Sequence, residues 1–236
     1  MKSLKLFETK KLHHGQYLYK LVLSNPLAVI FRSDLQRQDG LSYAKSKLEE
    51  LTEKHKAGEP LTKQSYRSSV PVSEDSFFDA KDVYNILKKN NNFKIRCETS
   101  TLGIYSNDRN LLMRIANKMR VSNREFWEPA PCAVEILSTK KNIKIVNFEP
   151  QYQYQVHLSY KRVDPNVYNW ISSNPDKVKV GPKTLNDLHN GLANGSYIYI
   201  RDDRILTLAE MLIGHAIRKI DKLVYKSDID KYKYGS

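Results

Sequence analysis

The stretch from Gln151 to Lys161 constrains the fold of this chain most, because two classes of side chain alternate along it without interruption. In an extended segment, one face would carry Tyr152, Tyr154, Val156, Leu158 and Tyr160. The other face would carry Gln153, Gln155, His157, Ser159 and Lys161. A period of two residues is typical of a β-strand with one packed and one open face. The pattern therefore predicts a strand whose open face forms hydrogen bonds.

The run from Ser196 to Arg201 has the same period. Ile198 and Ile200 can face a core, which leaves Tyr197, Tyr199 and Arg201 on the opposite side. Together the two runs predict a sheet with a polar, aromatic and basic open face.

The rest of the chain mixes helical and extended patterns. Apolar spacing and cap residues predict helices at 26–38, 41–56, 75–90, 107–119, 164–173, 184–189 and 208–223. Further strands are predicted at 2–8, 17–23, 93–98, 102–105, 132–137, 143–148 and 178–180. This composition of elements predicts an α+β protein with mixed or antiparallel sheets and packed helices. The element order after Phe93 favours a ferredoxin-like arrangement in the C-terminal two-thirds of the chain.

Further patterns predict two hairpins, one ordered loop and one helix cap. Strands 2–8 and 17–23 are predicted to form a hairpin that turns at Gly15, and strands 132–137 and 143–148 a second hairpin. Residues 120–131 have no period and are predicted to be an ordered loop. Thr207 and Glu210 have the spacing of a capping box, which would begin the helix from Leu208 to about Leu223.

The domain prediction places an N-terminal hairpin with two helices at 1–58 and a larger α+β domain at 76–236. Between them, residues 59–75 are polar and rich in serine and proline, which is typical of a linker.

The charge of the chain favours a polyanionic partner. Lys and Arg number 39 against 26 Asp and Glu, a net charge of +13. Residues 1–75, 76–150 and 151–236 each carry 13 of the basic residues, so the charge belongs to the whole surface and not to a tail. Such a surface attracts nucleic acid, anionic lipid or an acidic protein. The alternative is that the lysines only keep the protein in solution.

Cysteine content and hydropathy predict a cytoplasmic protein without a membrane partner. Cys97 and Cys132 lie in apolar segments without metal-ligand spacing, which predicts buried free thiols. No apolar run approaches the roughly 20 residues that span a bilayer, and the first residues lack a signal-peptide core. Abundant Lys, Asn, Tyr and Ile fit an AT-rich genome, such as that of a bacteriophage or a low-GC bacterium.

The motifs do not indicate an enzyme with a metal or cofactor. His157 and Ser159 match one half of the two-histidine phosphoesterase pattern, and the second half is absent. The chain also lacks the glycine-rich phosphate loops, the nucleophile elbow and the clustered carboxylates of a metal-dependent nuclease. His13, His14 or His157 acting on RNA without metal stays open as an alternative.

The sequence therefore predicts a basic protein that binds RNA or single-stranded DNA on an exposed sheet face. Tyr197, Tyr199 and Arg201 would stack on or clamp bases, and Lys161 and Arg96 would contact phosphates if their strands share a face. The remaining candidate contact residues are His157, Gln155, Lys94, Arg114 and Lys118. A different class of function is a phage assembly or host-inhibitor protein, in which exposed tyrosines anchor a protein interface.

Overall fold

The computed structural model describes residues 3–32, 40–64, 68–120 and 123–234. The chain forms two compact units: unit 1 comprises Met1–Thr9 and Gln16–Ala130, and unit 2 comprises Lys10–Gly15 and Pro131–Ser236. In the described ranges, each unit combines helices with a five-stranded sheet, so the α+β prediction is confirmed.

Unit 1 packs three α-helices and a 3₁₀ helix against its sheet. Its elements in chain order are β1 (Leu4–Glu8), β2 (Tyr19–Ser24), a 3₁₀ helix (Pro26–Phe31), α1 (Gly40–Lys56), β3 (Thr62–Gln64), β4 (Ser69–Pro71), α2 (Glu74–Leu87), β5 (Phe93–Glu98), β6 (Thr101–Ser106), α3 (Arg109–Lys118) and β7 (Asn123–Glu128). The strand order is β1-β7-β2-β6-β5, in which β1 pairs with β7 in parallel and the other pairs are antiparallel. Leu21, Ile104 and Phe126 of the sheet share one buried cluster with Phe77 and Leu112 of the helices.

The N-terminal hairpin prediction is wrong, because β7 lies between β1 and β2 and pairs with both. The loop predicted over residues 120–131 is also wrong, since β7 occupies 123–128. The C-terminal part of the helix predicted at 26–38 lies outside the described residues, and its first part is the 3₁₀ helix.

The units divide the chain differently from the predicted domains. Residues 59–75, predicted as a linker, contain the paired strands β3 and β4, and Leu61 and Val72 are buried in the unit 1 core. Helices α2 and α3 contribute to that same core, which joins residues up to 130 to the N-terminal part of the chain.

Unit 2 contains the second sheet. Its elements in chain order are a 3₁₀ helix (Pro131–Ala133), α4 (Val134–Thr139), β8 (Ile143–Val146), β9 (Tyr154–Leu158), β10 (Tyr160–Arg162), α5 (Asn166–Ser172), β11 (Val178–Val180), α6 (Pro182–His189), β12 (Leu192–Asn194), β13 (Tyr197–Ile200), α7 (Asp203–Ile213), 3₁₀ (Gly214–Ala216), β14 (Ile217–Tyr225), 3₁₀ (Lys226–Asp228) and α8 (Ile229–Tyr234). The strand order is β11-β13-β9-β14-β8, with β14 and β8 parallel and the other pairs antiparallel. Strands β10 and β12 form a separate antiparallel pair.

Several predictions fail in unit 2. The single strand predicted at 151–161 is divided into β9 and β10, which belong to different sheets, and Tyr160 of its predicted packed face is exposed. The hairpin of 132–137 with 143–148 does not form. The strand predicted at 132–137 is a 3₁₀ turn followed by α4, in which Ile136 and Leu137 are buried. The helix predicted from 208 to 223 starts earlier, at Asp203, and ends at Ile213, after which Ile217–Tyr225 form β14.

The two units share one topology. After the first strand, each five-stranded sheet takes four more strands in the spatial order fourth, first, third, second. At least one helix lies between the first and second of these strands and one between the third and fourth, and the pairs β3–β4 and β10–β12 are additions outside these sheets. In each unit the additional first strand pairs in parallel with the last one. The ferredoxin-like prediction for the C-terminal two-thirds stays a prediction.

The remaining features concern membrane spans and the two cysteines. No helix in the described ranges is long and apolar enough to cross a membrane. Cys97 is partly buried, and burial raises the pKa of its thiol to about 11. Cys132 is exposed, so the prediction of a buried thiol is wrong at that position.

Candidate nucleic-acid interface

One face of the unit 2 sheet packs on helices, and the opposite face carries polar and aromatic side chains. Val156, Leu158, Ile198 and Ile200 lie in the buried cluster with residues of α5, α6 and α7. We call the opposite side the tyrosine face, defined by Gln155, His157, Lys179, Tyr197, Tyr199, Lys219 and Asp221. Strand register places Tyr197, His157 and Lys219 in one row across the sheet. Lys179, Tyr199, Gln155 and Asp221 form the next row.

The tyrosines of this face form a connected aromatic group. The rings of Tyr197 and Tyr199 meet edge to face, with centroids 5.4 Å apart. Tyr152 lies 6.4 Å from Tyr199, and His157 lies 6.2 Å from Tyr197. Tyr197 is 46% exposed and Tyr199 is half-buried. Burial and the neighbouring Tyr197 raise the pKa of Tyr199, so its phenol stays neutral at neutral pH.

Asp221 is the charged centre of the face. Its side chain is fully buried, yet His157 Nε2 lies 3.0 Å from Oδ2 and Lys219 Nζ lies 2.5 Å from Oδ1. Lys11 Nζ lies 3.9 Å from Oδ2. Burial by itself raises the pKa of Asp221, but the hydrogen bonds from His157 and Lys219 lower it more, to about 2. Asp221 is therefore ionised at neutral pH and fixes the side chains of His157 and Lys219 on the sheet.

Several lysines lie near the single carboxylate of Asp221. Lys144, on β8, donates a hydrogen bond from Nζ to Gln155 Oε1 at 2.9 Å. Burial lowers the pKa of Lys144, and so do the charges of Lys11 and Lys10, whereas Asp221 raises it. Burial is the main cause of the lowered pKa, and the smaller effect of the two neighbouring lysines indicates positive charge that would attract an anion.

The predicted contact residues divide among different parts of the molecule. Gln155, His157, Tyr197 and Tyr199 lie together on the tyrosine face. Gln155 is buried there and accepts from Lys144, so its predicted exposure is wrong. Arg201 follows β13, and its guanidinium lies 3.9 Å from Asp176. The other predicted residues lie elsewhere: Lys161 on β10, Lys94 and Arg96 on β5 of unit 1, and Arg114 and Lys118 on α3 of unit 1. Lys161 and Arg96 thus belong to sheets other than that of the tyrosines, so the condition for their phosphate role is not met.

Sequence reasoning missed Lys144, Lys179, Lys219 and Asp221. Lys219 and Asp221 lie on a strand where the capping-box spacing and the apolar spacing predict a helix, and the register of this strand is irregular between Ile217 and Lys219. Lys179 was within a correctly predicted strand, and its alternation with Val178 and Val180 was the signal that could have found it.

The chain has no match among protein-family models, curated proteins or solved structures. In the described part of the chain, no group of three or more His, Cys, Asp or Glu side chains could hold a metal ion. The side chains of the tyrosine face are therefore the best indication of function.

Proposed function

We propose that this protein binds nucleic acid and that a single strand of RNA or DNA lies on the tyrosine face. The observation that carries the proposal is the exposed ring of Tyr197 against Tyr199, with Lys179 paired in register with Tyr199 and Lys219 two strands away in the row of Tyr197. Aromatic rings stack on unpaired bases of any sequence, and lysines contact the phosphates between them. The net charge of +13 would add attraction at long range.

The topology supports the same proposal. We propose that both units are ferredoxin-like, because their four shared strands lie in the order fourth, first, third, second. RNA-recognition modules built on a four-stranded sheet stack two or three bases on aromatic side chains of that sheet. Tyr197 and Tyr199 lie on the third of the four strands in unit 2. Likeness of fold does not establish function, so the side chains carry the argument.

The composition extends the proposal to cellular context. We place the protein in the cytoplasm of a low-GC bacterium or of a cell infected by a phage, on the basis of its abundant Lys, Asn, Tyr and Ile.

Tyrosine substitutions test the proposal. Tyr197→Ala and Tyr199→Ala should each weaken binding of a fluorescently labelled single-stranded oligonucleotide by ~1–3 kcal/mol, because each change removes a stacking surface. Tyr160→Ala is the matched control, since Tyr160 is 78% exposed but lies on β10, outside the tyrosine face. Equal affinity of all three variants and the parent protein would refute base stacking on this face. A stable oligomer in size-exclusion chromatography that ignores nucleic acid would favour the interaction-protein alternative.

A second candidate activity is cleavage of the bound RNA by His157. Its Nε2 is held by the buried Asp221 at 3.0 Å, and its Nδ1 has no hydrogen-bond partner among the described residues. A histidine oriented by a carboxylate can serve as a general base. Nδ1 would accept the proton of a ribose 2′-hydroxyl, the 2′-oxygen would bond to phosphorus, and the 5′-oxygen would leave with a proton from the Lys219 ammonium.

Labelled RNA incubated in excess chelator tests this activity. Cleavage should yield a 2′,3′-cyclic phosphate, should disappear in His157→Ala and should not occur with the all-deoxy strand, which has no 2′-hydroxyl. His215→Ala is the control, since His215 bonds the Arg162 carbonyl oxygen away from the tyrosine face. Intact RNA after incubation with the parent protein would exclude cleavage while leaving the binding proposal in place.

A further inference from the structure

A pocket of about 410 Å³ opens at one end of the tyrosine face. Strand β14 lies between β8 and β9, so the connection formed by residues 147–153 has to pass β14. Side chains of this connection, including Phe148 and Tyr152, line the pocket together with Tyr199 of β13. The volume lies within the roughly 300–1,000 Å³ of small-molecule sites.

The walls of the pocket are aromatic and its lining includes apolar side chains. Tyr152 and Tyr199 are tilted at 41° to one another, with centroids 6.4 Å apart. Leu223, which is nearly buried, also lines the pocket. Phe148 also lines the pocket and is 70% exposed, so its ring is accessible to a ligand there. Flat apolar surfaces of this kind fit a nucleobase.

The charged residues that line the same pocket are two lysines and one carboxylate, Glu149. Lys144 comes from β8 and Lys179 from β11, the strands at opposite edges of the sheet. Lys144 Nζ donates to Gln155 Oε1 at 2.9 Å and lines the pocket. Burial lowers its pKa most, the charges of Lys11 and Lys10 lower it further, and an anion in the pocket would offset that positive charge. Aromatic walls with ammonium groups at the margin match a ligand that has a flat base at one end and a phosphate at the other.

We propose that this pocket binds a single nucleotide unit of the strand, with its base against Tyr152, Tyr199 and Phe148 and its phosphate at Lys144 or Lys179. The proposal rests on the proposed function and adds a defined subsite to it. Tyr197 does not line the pocket, so a strand on the face would have one base in the pocket and a neighbouring base on the exposed Tyr197 ring.

Isothermal titration of the full chain with a nucleoside monophosphate, the matching nucleoside and inorganic phosphate tests the proposal. The monophosphate should bind more tightly than either fragment, since only it has both the base and the phosphate. Phe148→Ala should weaken monophosphate binding roughly 5- to 100-fold through loss of stacking. Lys144→Gln or Lys179→Gln, whichever lysine holds the phosphate, should weaken binding of the monophosphate but not of the nucleoside, and no effect from either change would exclude a phosphate site in this pocket. Tyr160→Ala, on β10 and outside the pocket lining, should leave monophosphate binding unchanged.

The outcomes separate this proposal from the proposed function. The pocket is excluded if the monophosphate binds no better than phosphate alone, or if Phe148→Ala has no effect on its affinity. In either case, loss of oligonucleotide affinity in Tyr197→Ala would still support the tyrosine face as a strand-binding surface. If neither oligonucleotide nor monophosphate binds, both proposals fail.

Discussion

At the residue scale, Asp221 shows how a buried charge can organise a surface. Three cationic or titratable side chains, His157, Lys219 and Lys11, lie within 4 Å of its carboxylate, at 3.0, 2.5 and 3.9 Å. A buried carboxylate without partners would be protonated, whereas the pKa of Asp221 is about 2. The carboxylate therefore fixes the positions of the groups that a bound strand would meet.

Asp221→Asn should destabilise the fold in a pH-dependent way. The pKa of Asp221 falls from an ordinary 3.8 to about 2 on folding, which corresponds to roughly 2 kcal/mol of stability. Because the folded-state pKa is the lower one, this stability is present above about pH 4 and is lost as the pH falls towards 2. Urea unfolding should show that gap between parent and variant at pH 7 and a smaller gap at pH 2.5. A gap that does not change with pH would mean that Asp221 stabilises the fold by packing and not by its charge.

Individual residues could be predicted from the sequence only where the strand pattern was regular. Tyr197, Tyr199, His157 and Gln155 were assigned to one polar face by alternation, and the register places them together. Asp221 could not be assigned in this way, because its partners are distant in sequence and no motif marks a carboxylate that becomes buried in the folded sheet.

At the element scale, β14 explains the largest error of the sequence analysis. The register of β14 against β9 shifts between Ile217 and Lys219. This irregularity puts Ile217 opposite Leu158 and Ile220 opposite Val156, so two apolar residues three positions apart both pack on the core. Spacing of three is a helical signal, and the preceding helix made a continuation to Leu223 the simplest interpretation.

Strand β7 was missed for a different reason. Arg124 occupies a core-facing position and is only 7% exposed. The buried positions of the strand therefore lack the apolar alternation that predicts a strand. Its Nη1 donates to the Ala116 carbonyl oxygen at 2.8 Å, close to the C-terminus of α3, where backbone carbonyls lack helical partners. The arginine thus joins β7 to α3 through a hydrogen bond that no local pattern reveals.

Substitutions at the start of α7 can separate the observed cap from the predicted one. Asp202 Oδ1 accepts from the Ile205 backbone N–H at 3.1 Å, whereas the Thr207 hydroxyl donates within the helix to the Asp203 carbonyl oxygen. Asp202→Ala should therefore cost about 0.5–2 kcal/mol in urea unfolding. Thr207→Ala, at an exposed helix position, should change stability by less than about 0.5 kcal/mol. The reverse order of effects would support the capping box predicted from the sequence.

At the scale of the whole molecule, one topology occurs twice in sequences that show no obvious repeat. Leu21 and Ile104 of unit 1 and Val156 and Ile198 of unit 2 lie on the two adjacent central strands of their sheets and are almost fully buried. Many apolar combinations fill such a core equally well, so the shared fold imposes little shared sequence. The same freedom explains why the α+β class was predictable from periodicity but the duplication and the division of the chain near residue 130 were not.

The even distribution of charge raises the question of whether binding uses one face or the whole surface. Every third of the chain has the same number of basic residues, so composition cannot distinguish these possibilities. Lys179 and Lys161 are both exposed lysines on three-residue strands of unit 2, but only Lys179 pairs in register with Tyr199. Their substitution by glutamine removes the same charge from two different places.

Salt dependence should tell the two lysines apart. For single strands, the slope of log affinity against log salt concentration changes by about 0.7 for each phosphate contact. Lys179→Gln should reduce the slope by about that amount, since it removes a contact on the tyrosine face, and Lys161→Gln should leave the slope within error of the parent protein. Fluorescence anisotropy with one oligonucleotide at several KCl concentrations gives both slopes. Equal reductions would mean that the oligonucleotide binds over the whole basic surface. An oligonucleotide confined to the tyrosine face would make no contact with Lys161 on β10.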